Sequence, residues 1–563
     1  MIKNKIIKNL QTTLKKLGVE GVDVDLQPPA NLDFGDYSTS IALKLTKVLK
    51  KNSLEIAEMI KKELSKSELV DQIDIIKPGF INFRISKKYL IKKAISIYKN
   101  EFGFPEYFLG KNKKVMVEFA HPNTHKLFHI GHFRNISTGE SIVRILEAVG
   151  NKVIRANYQG DVGLHIAKCL YGINSSSFDI KKLNSLKEKI EFIGKMYTAG
   201  TKAYEEDPKA KEEILKINKM IYDNDPKIMP LWSETKKWSL EYFNEVYKRV
   251  YSYFDRLFLE NEVTKRGLEI SKELLEKGIL EKSEGAIVFN GKKYGLDTRV
   301  FINSLGFPTY EGKEMGLAEI EFKEFGELDK IIHIVTPEQT SFFKVTFKVE
   351  ELINEKKYKG KQFHLIYEWV KLKEGKMSSR EGNIIEANWL IDQIKEKILK
   401  NFKCDQETAE ILAVAAAKYS FLKNSTKTII HFDIDESVAV DGNSAPYLIY
   451  TYVRCQSILN KENNNLDYPQ IGEKTISNDE LRLIRKIYQF NTIVLKAAQD
   501  YSPNFIATYL YELASQYNLF YQKNPILKAE NNKKELRLLI THATAKTIKK
   551  GLELLGIKTV EKM

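Results

Sequence analysis

Cysteine is scarce in this 563-residue chain, which contains three such residues, Cys169, Cys404 and Cys455. They lie far apart, form no CxxC pair and offer no framework for disulfide bonds. This scarcity argues against a cysteine-rich zinc site and fits a chain that works in a reducing compartment. A secreted protein held together by disulfides is therefore not expected.

Long apolar runs are also missing. The longest apolar stretch, Ile411 to Leu422, is interrupted by Lys418 and is well short of the roughly 20 residues that a membrane-spanning helix needs. The amino-terminal stretch MIKNKIIKNLQTTLKKLGVE lacks the apolar core and cleavage site of a signal peptide, and it lacks the arginine of a transit peptide. We therefore expect a cytoplasmic protein with no membrane segment.

Acidic residues are the minority among the charged residues. The chain has 89 Lys and Arg against 74 Asp and Glu, which gives a formal net charge of +15 and a pI near 9.1. A basic balance favours a polyanionic partner such as nucleic acid. Lysine is abundant throughout the chain, however, so the charge alone is equally consistent with an ordinary lysine-rich composition.

Hydrophobic periodicity divides the chain into three parts. Residues 1–105 combine amphipathic helices with the strand-like KPGFINFRIS, a pattern typical of a small α+β domain. In residues 106–436 a buried strand (KKVMVEFA), a helix and a second strand (NKVIRANYQGD) predict a βαβ unit, and hence an α/β domain with a Rossmann-type parallel sheet. Aromatic residues at helical spacing predict a packed helical insertion in that domain over about residues 174–260. Residues 437–563 predict an all-α helical bundle.

Four of the nine histidines fall within HPNTHKLFHIGH, at His121, His125, His129 and His132. Histidines at helical spacing can bind zinc together. However, Pro122 and the expected turn from strand to helix prevent the four side chains from sharing one helical face. No cysteine or carboxylate in the segment completes a ligand set, so we expect no metal here and regard His121 or His125 as a structural residue.

The tetrapeptide HIGH (His129–His132) instead favours a phosphate site. It follows a predicted strand and opens a helix predicted from His129 to Leu146, where free backbone N–H groups and the helix dipole attract anions. His129 and His132 are three residues apart, so both imidazoles can face the same bound group. Gly131 has no side chain, which allows a nucleotide to approach the backbone.

A second candidate segment, GKMSSREGN, covers residues 375–383. Gly375 and Gly382 flank two hydroxyl groups and two cations, Lys376 and Arg380, which is typical of a loop that opens and closes over a ligand. Taken alone, the segment is also typical of a solvated basic turn. HIGH early and KMSSR late, in that order within an α/β chain, resemble the paired HIGH and KMSKS signatures of class I aminoacyl-tRNA synthetases.

Longer stretches are similar to arginyl-tRNA synthetases in particular. The matching blocks run in chain order along essentially the whole sequence: FGDYSTSIALKL, KPGFINF, VEFAHPNTHKLFHIGHFRN, NYQGDVGLHIAK, PTYEGKEMGLAEIEF, HIVTPEQTSFF, HLIYEWVKL, GKMSSREGN, SAPYLIYTYVRCQSIL, LYELASQYNLFYQKNPIL and LGIKTVEKM. The resemblance implies that the carboxylate of arginine attacks the α-phosphate of ATP, that pyrophosphate leaves, and that the arginyl group passes to the terminal ribose of tRNA. It also implies an N-terminal domain that contacts the outer corner of the tRNA and a C-terminal domain that binds the anticodon.

Such a reaction needs positioning and charge stabilisation rather than a covalent residue, because the substrate carboxylate is itself the nucleophile. The resemblance implies that His129 and His132 donate hydrogen bonds to phosphate oxygens and that Lys376 neutralises charge on the leaving pyrophosphate. The other ATP-binding positions that the two motifs imply are Gly131, Met377, Ser378 and Arg380.

The second motif departs from the family's usual loop. The family's second lysine falls at Ser379, and its final serine falls at Arg380. A serine supplies no positive charge, so either Arg380 or another cation must replace the lysine. Lys126 lies three residues before His129, and a lysine at this place is a feature of arginyl enzymes with a weak loop motif. The resemblance therefore assigns Lys126 a share of the phosphate-binding and catalytic role.

A guanidinium group pairs best with carboxylates and planar acceptors, because its forked donors bind bidentately. Tyr310 and Glu314 lie four residues apart on a predicted helix and so share a face. The resemblance implies that they hold the side chain of arginine, and the family more often has aspartate at position 314. Glu118 at a strand end, Asn123 in the next turn and Gln339 match positions that bind the amino, carboxylate and side-chain groups of the substrate.

Two alternatives remain open at this point. One is another class I synthetase, although cysteinyl enzymes need cysteine-rich zinc ligands and the valine, isoleucine and leucine enzymes carry an editing insertion that has no room here. The other is a catalytically inactive, synthetase-like RNA-binding protein, against which the intact HIGH, Lys376 and Lys126 argue. The expected substrates are ATP with Mg²⁺, L-arginine and arginine-accepting tRNA. No zinc, no permanent cofactor and a monomeric chain are expected.

Overall fold

The computed structural model describes residues 2–29, 34–64, 67–104, 108, 110–373, 385–462 and 476–563. The chain forms two compact units. Unit 1 comprises Met1–Tyr107, Thr451–Ile493 and Tyr509–Lys550, and unit 2 comprises Phe108–Tyr450, Val494–Thr508 and Gly551–Met563. Within the described ranges, no helix is long and apolar enough to cross a membrane.

The first part of unit 1 contains helices and a small antiparallel sheet. Its elements are α1 (Ile2–Lys16), β1 (Tyr37–Thr39), α2 (Ile41–Lys44), α3 (Thr46–Leu49), α4 (Ser53–Glu63), β2 (Val70–Ile76), β3 (Phe80–Ile85) and α5 (Lys87–Tyr98). The strand order is β1-β3-β2, which confirms the predicted α+β pattern. Sequence reasoning missed β1, because its local sequence is rich in turn residues and its extended geometry comes from pairing with β3.

Unit 2 begins with the predicted βαβ unit and the helices inserted after it. Its first elements are β4 (Lys114–Glu118), α6 (Ile130–Ala148), β5 (Lys152–Gln159), α7 (Leu164–Ser175), α8 (Leu186–Glu206), α9 (Pro208–Tyr222) and α10 (Met229–Arg249). Strands β4 and β5 pair in parallel, as predicted. The aromatic residues that indicated packed helices, including Trp232, Trp238 and Phe243, are buried.

The rest of the α/β region completes the main sheet and two smaller ones. Its elements are β6 (Arg256–Leu259), α11 (Glu260–Glu276), β7 (Glu281–Ser283), β8 (Ala286–Phe289), β9 (Arg299–Ile302), α12 (Tyr310–Phe325), β10 (Lys330–Val335), α13 (Thr340–Ile353), α14 (Glu355–Tyr358), β11 (Gln362–Ile366), β12 (Val370–Leu372), α15 (Ala387–Asn401), α16 (Gln406–Leu422), β13 (Ile430–Phe432) and α17 (Ile434–Ser437). Strands β7, β8 and β9 form an antiparallel sheet, and β12 pairs with β13.

The main sheet has five parallel strands in the order β11-β10-β4-β5-β6. The chain runs outward from β4 through β5 to β6 and then returns to build β10 and β11 on the other side. The strand order therefore reverses between β4 and β10, which confirms the Rossmann-type prediction. In open α/β sheets, ligands bind outside the carboxyl ends of the strands at this switch point.

The carboxyl-terminal part of the chain is helical, as predicted. Its helices are α18 (Ala445–Leu459), α19 (Asn478–Asp500), α20 (Asn504–Lys523) and α21 (Asn531–Leu554). The last residue of α21 and the segment after it pack within unit 2 against α6 and α16. Ser141 Oγ donates to the carbonyl of Leu554 (2.9 Å), and the buried Lys418 Nζ donates to the carbonyl of Gly556 (2.8 Å).

Candidate active site

The HIGH turn begins α6 with two side chains that cap the helix. His129 is the N-cap residue, and its Nδ1 accepts the backbone N–H groups of Gly131 (3.1 Å) and His132 (3.4 Å). In return, His132 Nδ1 accepts the N–H of His129 (3.2 Å). The two imidazole rings stack with centroids 3.7 Å apart. This reciprocal arrangement satisfies donors that a helix start otherwise leaves open.

The same hydrogen bonds fix the tautomer of both histidines. A backbone N–H is always a donor, so each Nδ1 must be the acceptor and the ring hydrogen must sit on Nε2. Burial, together with the positive charge of Lys126, lowers the pKa of His129 to about 4. Burial, together with the charge on His129, lowers the pKa of His132 well below its usual value. Near pH 7 both side chains are therefore neutral and can donate from Nε2.

The expectation that free backbone N–H groups at this helix start bind the anion is wrong. The imidazoles take up the N–H groups of His129, Gly131 and His132, and the N–H of Ile130 donates to the carbonyl of Ile385 (2.8 Å). The donors left for a phosphate are the two Nε2–H groups. A Cβ at Gly131 would lie 2.9 Å from Cε1 of His129, so the glycine is what allows this ring to fold back over the helix.

Lys126 lies close enough to His129 for its charge to lower the pKa of that residue. The backbone N–H of Lys126 donates to the carbonyl of Asn123 (3.3 Å), which forms the turn after β4. Its Nζ lies 5.4 Å from the ring centroid of Tyr197 on α8. The structure thus brings Lys126 and His129 to one place, as the sequence predicted.

The second motif cannot be described in the same way, because Lys376, Met377, Ser378, Ser379 and Arg380 lie outside the described residues. Residues on both sides of the segment nevertheless contact the HIGH helix.

On the carboxyl side, the carbonyl of Ile385 accepts the hydrogen bond from the N–H of Ile130, and the N–H of Ala387 donates to the carbonyl of Phe128 (2.9 Å). On the amino side, Arg134 of α6 donates to the carbonyls of Glu368 and Trp369. Arg134 is almost fully buried, and sequence reasoning did not single it out. The local sequence provides little signal, because α6 contains other charged residues such as Glu140 and Arg144, and the several acceptors that a buried arginine needs lie far along the chain.

Glu118 ends β4 at the switch point of the sheet and is 2% exposed. Its Oε1 lies 3.1 Å from Nδ1 of His333, the residue opposite it on β10. Its Oε2 is buried and has no hydrogen-bond partner among the residues that the structure describes. Sequence reasoning placed Glu118 correctly at a strand end but did not single out His333. A lone histidine in the apolar strand KIIHIV was the signal, because a buried polar side chain requires a partner.

Three further carboxyl groups surround this pair, and with Glu118 they form what we call the carboxyl cluster: Glu118, Glu314, Glu321 and Glu350. Burial raises the pKa of Glu314 to about 8; the charge of His333 opposes this rise, and that of Glu118 adds to it. Burial likewise raises the pKa of Glu321, and it raises that of Glu350 to about 7. The charge of Glu118 therefore affects the pKa of Glu314, and these are the two carboxyl groups that the sequence assigned to arginine.

Tyr310 and Glu314 lie in the first turns of α12, so the predicted helix is confirmed, but their surroundings differ. Tyr310 is 66% exposed, whereas Glu314 is 4% exposed. The ring of Tyr310 lies 5.5 Å from Nζ of Lys313. That ammonium group binds the carboxylate of Glu260 at 2.9 Å. Gln339 ends a short 3-10 helix after β10 and is exposed.

Asn123 lies beside Glu260, and both side chains approach the backbone at Gly160, which follows β5. A Cβ at Gly160 would lie 2.1 Å from Asn123 Oδ1 and 3.6 Å from Glu260 Oε1. Glycine at this position lets Asn123 and Glu260 approach the backbone from opposite elements. Asn123 and Tyr310 are thus connected through Glu260 and Lys313.

The other two histidines of the cluster have separate partners. The ring of His125 is buried between the hydroxyl groups of Thr124 (3.1 Å) and Thr235 (2.7 Å), which confirms its structural role. Nδ1 of His121 lies 3.3 Å from the carbonyl of Tyr158. Across the part of the chain that the structure describes, no group of three histidine, cysteine or acidic side chains could hold a metal ion.

Together these residues place two kinds of binding group at one sheet edge. Neutral N–H donors and a lysine at the start of α6 suit phosphate oxygens. Buried carboxyl groups at the end of β4 and in the first turns of α12 suit a cation that carries several N–H donors.

Comparison with known proteins gives three matches to family descriptions. Residues 97–434 match "tRNA synthetases class I (R), catalytic domain", residues 3–85 match "Arginyl tRNA synthetase N terminal domain", and residues 448–563 match "DALR anticodon binding domain".

Curated relatives match along the whole chain. The arginine–tRNA ligase of Fusobacterium nucleatum is 31% identical over 96% of this chain and 95% of its own length. That of Borreliella afzelii is 33% identical over 100% of this chain and 98% of its own length. Among solved structures, the fold is similar to arginyl-tRNA synthetase from Thermus thermophilus, with a TM-score of 0.82, 23% identity and full coverage of both chains.

Proposed function

The chain belongs to the arginyl-tRNA synthetase family, and on this premise we propose how the switch point between β4 and β10 divides the reaction among its residues. The protein is an ATP-dependent ligase that joins arginine to tRNA. In our proposal ATP enters with Mg²⁺ and binds at the start of α6, while arginine binds over the carboxyl cluster. The arginine carboxylate then meets the α-phosphate between the two halves.

In the nucleotide half, His129 and His132 donate from Nε2 to phosphate oxygens. Support comes from the capping hydrogen bonds, which commit both Nδ1 atoms and leave neutral donors that need no reorganisation during the reaction. Gly131 keeps the His129 ring in place, and Lys126 adds a positive charge beside it. On the strength of the motif, Lys376 neutralises the leaving pyrophosphate, and Met377, Ser378 and Arg380 complete the ATP contacts.

In the arginine half, Glu118 takes the α-amino group, Glu314 and Tyr310 hold the side chain, and Asn123 and Gln339 contact the remaining polar groups. One observation carries this assignment: Glu118 is buried, and one of its carboxylate oxygens has no partner within the described ranges of the chain. An unpaired buried carboxylate oxygen is costly, and a bound ammonium group would satisfy it.

We also propose that three functional domains share the work. Residues 1–105 contact the outer corner of the tRNA, residues 106–436 with the insertion at about 174–260 carry catalysis, and residues 437–563 bind the anticodon. The ranges of the family matches support this division. The protein acts as a monomer in the cytoplasm, where its three free thiols would stay reduced.

The test is an aminoacylation assay with purified protein, ATP, Mg²⁺ and total tRNA, in which each of the twenty amino acids is offered separately. We expect charging by arginine alone. Charging by a different amino acid would refute the pocket assignment while leaving the nucleotide half intact. No charging by any amino acid, with an ATP analogue still bound, would favour a catalytically inactive RNA-binding protein.

A further inference from the structure

His333 lies beneath the proposed arginine site and has no role in the proposal above. It is fully buried on β10, and the parallel register sets it directly opposite Glu118. Its Nδ1 lies 3.1 Å from Glu118 Oε1, and its Nε2 lies 2.8 Å from Gln362 Oε1. Because the contacts come from adjacent strands of one sheet, their geometry is fixed by the backbone.

Both ring nitrogens face acceptors. The amide nitrogen of Gln362 donates to Glu350 Oε2 (2.7 Å), so its oxygen is the atom turned toward His333 and must accept. A carboxylate at Glu118 also accepts. A neutral imidazole carries one N–H and could serve only one of these partners, whereas an imidazolium serves both. The hydrogen-bond pattern therefore describes a buried cation.

Titratable side chains surround this cation on every element packed against it. They are Glu118 on β4, Glu314 and Glu321 on α12, Glu350 on α13, His364 on β11, and His121 in the turn after β4. Phe343 and Phe347 of α13 close the apolar side, with ring centroids 4.9 and 5.5 Å from the imidazole. Burial alone would lower the pKa of His333, but Glu118 and the neighbouring carboxyl groups outweigh it and raise the pKa. In return, the imidazolium outweighs the burial of Glu118 and lowers the pKa of that carboxyl group.

We propose that His333 is a positioning residue of the arginine site, whose imidazolium holds Oε1 of Glu118 and so leaves Oε2 oriented and charged for the ammonium group of the substrate. This inference rests on the proposed function, because it requires Glu118 to contact arginine. The imidazolium acts through Glu118 and does not touch the substrate. Gln362 accepts a hydrogen bond from the other ring nitrogen, and Glu350 in turn accepts one from Gln362.

Two substitutions test separately the hydrogen bonds that the two ring nitrogens of His333 make. In His333→Asn the amide nitrogen takes approximately the place of Nδ1 and keeps a neutral bond to Glu118. In His333→Gln it takes approximately the place of Nε2 and keeps only the bond to Gln362. We expect His333→Gln to raise KM for arginine on the order of tenfold or more, the effect of losing a charge-assisted hydrogen bond, and His333→Asn to raise it less at pH 8. KM for ATP should stay within about twofold of wild type in both, since the nucleotide half is unchanged.

The pH profile supplies a readout that a purely structural role would not move. Without the imidazolium, the pKa of Glu118 rises, so the ratio of KM for arginine at pH 6 to that at pH 8 should be larger in both variants than in wild type. Equal KM values for arginine in all three proteins, with only the melting temperature lowered, would overturn the proposal. Wild-type protein that does not charge tRNA with arginine would instead refute the proposed function, whatever residue 333 does.

A measurement on the wild-type protein keeps the proposal testable if neither variant folds. Burial lowers the pKa of seven other histidines: His121, His125, His129, His132, His165, His364 and His542. NMR of protein labelled at histidine should therefore show an imidazolium signal that persists at pH 8 and shifts on addition of arginine but not of an ATP analogue. The absence of any protonated histidine at pH 8, or a signal insensitive to arginine, would contradict the proposal.

Discussion

Histidines occur in both halves of the candidate site, and the two halves hold them in opposite charge states. In the HIGH turn, burial lowers the pKa of His129 and His132, the nearby positive charge of Lys126 lowers it further, and backbone N–H groups occupy both Nδ1 atoms, so neither ring is charged near pH 7. In β10, His333 is fully buried and keeps its charge, because acceptors face both nitrogens. Burial opposes the charged ring in both halves, and the carboxyl and amide acceptors around His333 outweigh it, whereas the donors and the lysine around His129 and His132 do not.

The difference follows what each half has to bind. Phosphate brings its own negative charge, so neutral donors with fixed orientation suffice at the start of α6. Arginine brings two cationic groups, so its half needs carboxyl groups that can be ionised although they are buried. Each of the following changes perturbs one half and should leave the other unaffected.

The largest effect is expected for His129→Asn. Asparagine is a good N-cap and can still accept the N–H groups of the first turn, but it lacks the Nε2–H donor. We therefore expect kcat to fall roughly 10²- to 10³-fold, the cost of removing one preorganised donor, with an unchanged melting temperature and KM for arginine. His129→Ala is the matched control, because it should lose the same activity and about 1 kcal/mol of stability as well. Wild-type kcat in His129→Asn would contradict a phosphate-binding role for His129.

An intermediate effect is expected for Gly131→Ala. The added Cβ would lie 2.9 Å from Cε1 of His129, so the ring must move away from its capping position. Misplaced catalytic donors lose much of their effect, and we expect kcat with saturating arginine to fall on the order of tenfold. Gly194→Ala in α8 is the control, because its Cβ would meet only Leu127 at 3.9 Å, an ordinary contact. Equal kinetics in the two variants would mean that the ring position does not matter.

The smallest effect concerns the pH dependence of arginine binding. The pKa of Glu314 is raised to about 8, so below pH 8 most of this carboxyl group is protonated and cannot pair with a guanidinium. KM for arginine should therefore fall by about fivefold as the pH rises from 7 to 8 and level off above about pH 9, while KM for ATP stays constant. Glu314→Gln should show a high KM for arginine that does not vary with pH across this window. A flat wild-type profile would remove Glu314 from the arginine pocket.

Much of the fold follows from local patterns in the sequence. The strands of the βαβ unit, the inserted helices and the carboxyl-terminal helices all have strong periodicity, and the structure confirms them. Strand β1 was missed because pairing with β3, a long-range contact, overrides its turn-rich local sequence. The order β11-β10-β4-β5-β6 also depends on contacts between distant segments. The βαβ pattern in the sequence predicts a parallel sheet with a switch point. It does not predict that β4 and β10 are the two strands on either side of that point.

The candidate site was predictable to the extent that its residues form motifs. His129 and His132 were found because the HIGH motif opens a predicted helix, and Glu118 was found because it matches a substrate-binding position of the family that the chain resembles. His333 and Arg134 were missed because their importance comes from partners more than two hundred positions away, Glu118 and the Glu368–Trp369 carbonyls. The prediction of free N–H groups at the start of α6 was wrong because spacing does not show that each histidine accepts a hydrogen bond from the backbone of the other.

The docking of residues 551–563 onto α6 and α16 has a consequence for how the chain is made. Synthesis on the ribosome proceeds from the amino end, and domains generally fold as they emerge. Unit 2 starts at Phe108, yet its buried Lys418 amine donates to the carbonyl of Gly556, 138 positions further along the chain. The core of the catalytic unit is therefore completed only after residues 551–563 have left the exit tunnel. During synthesis, the helices α6 and α16 emerge well before the segment that packs against them.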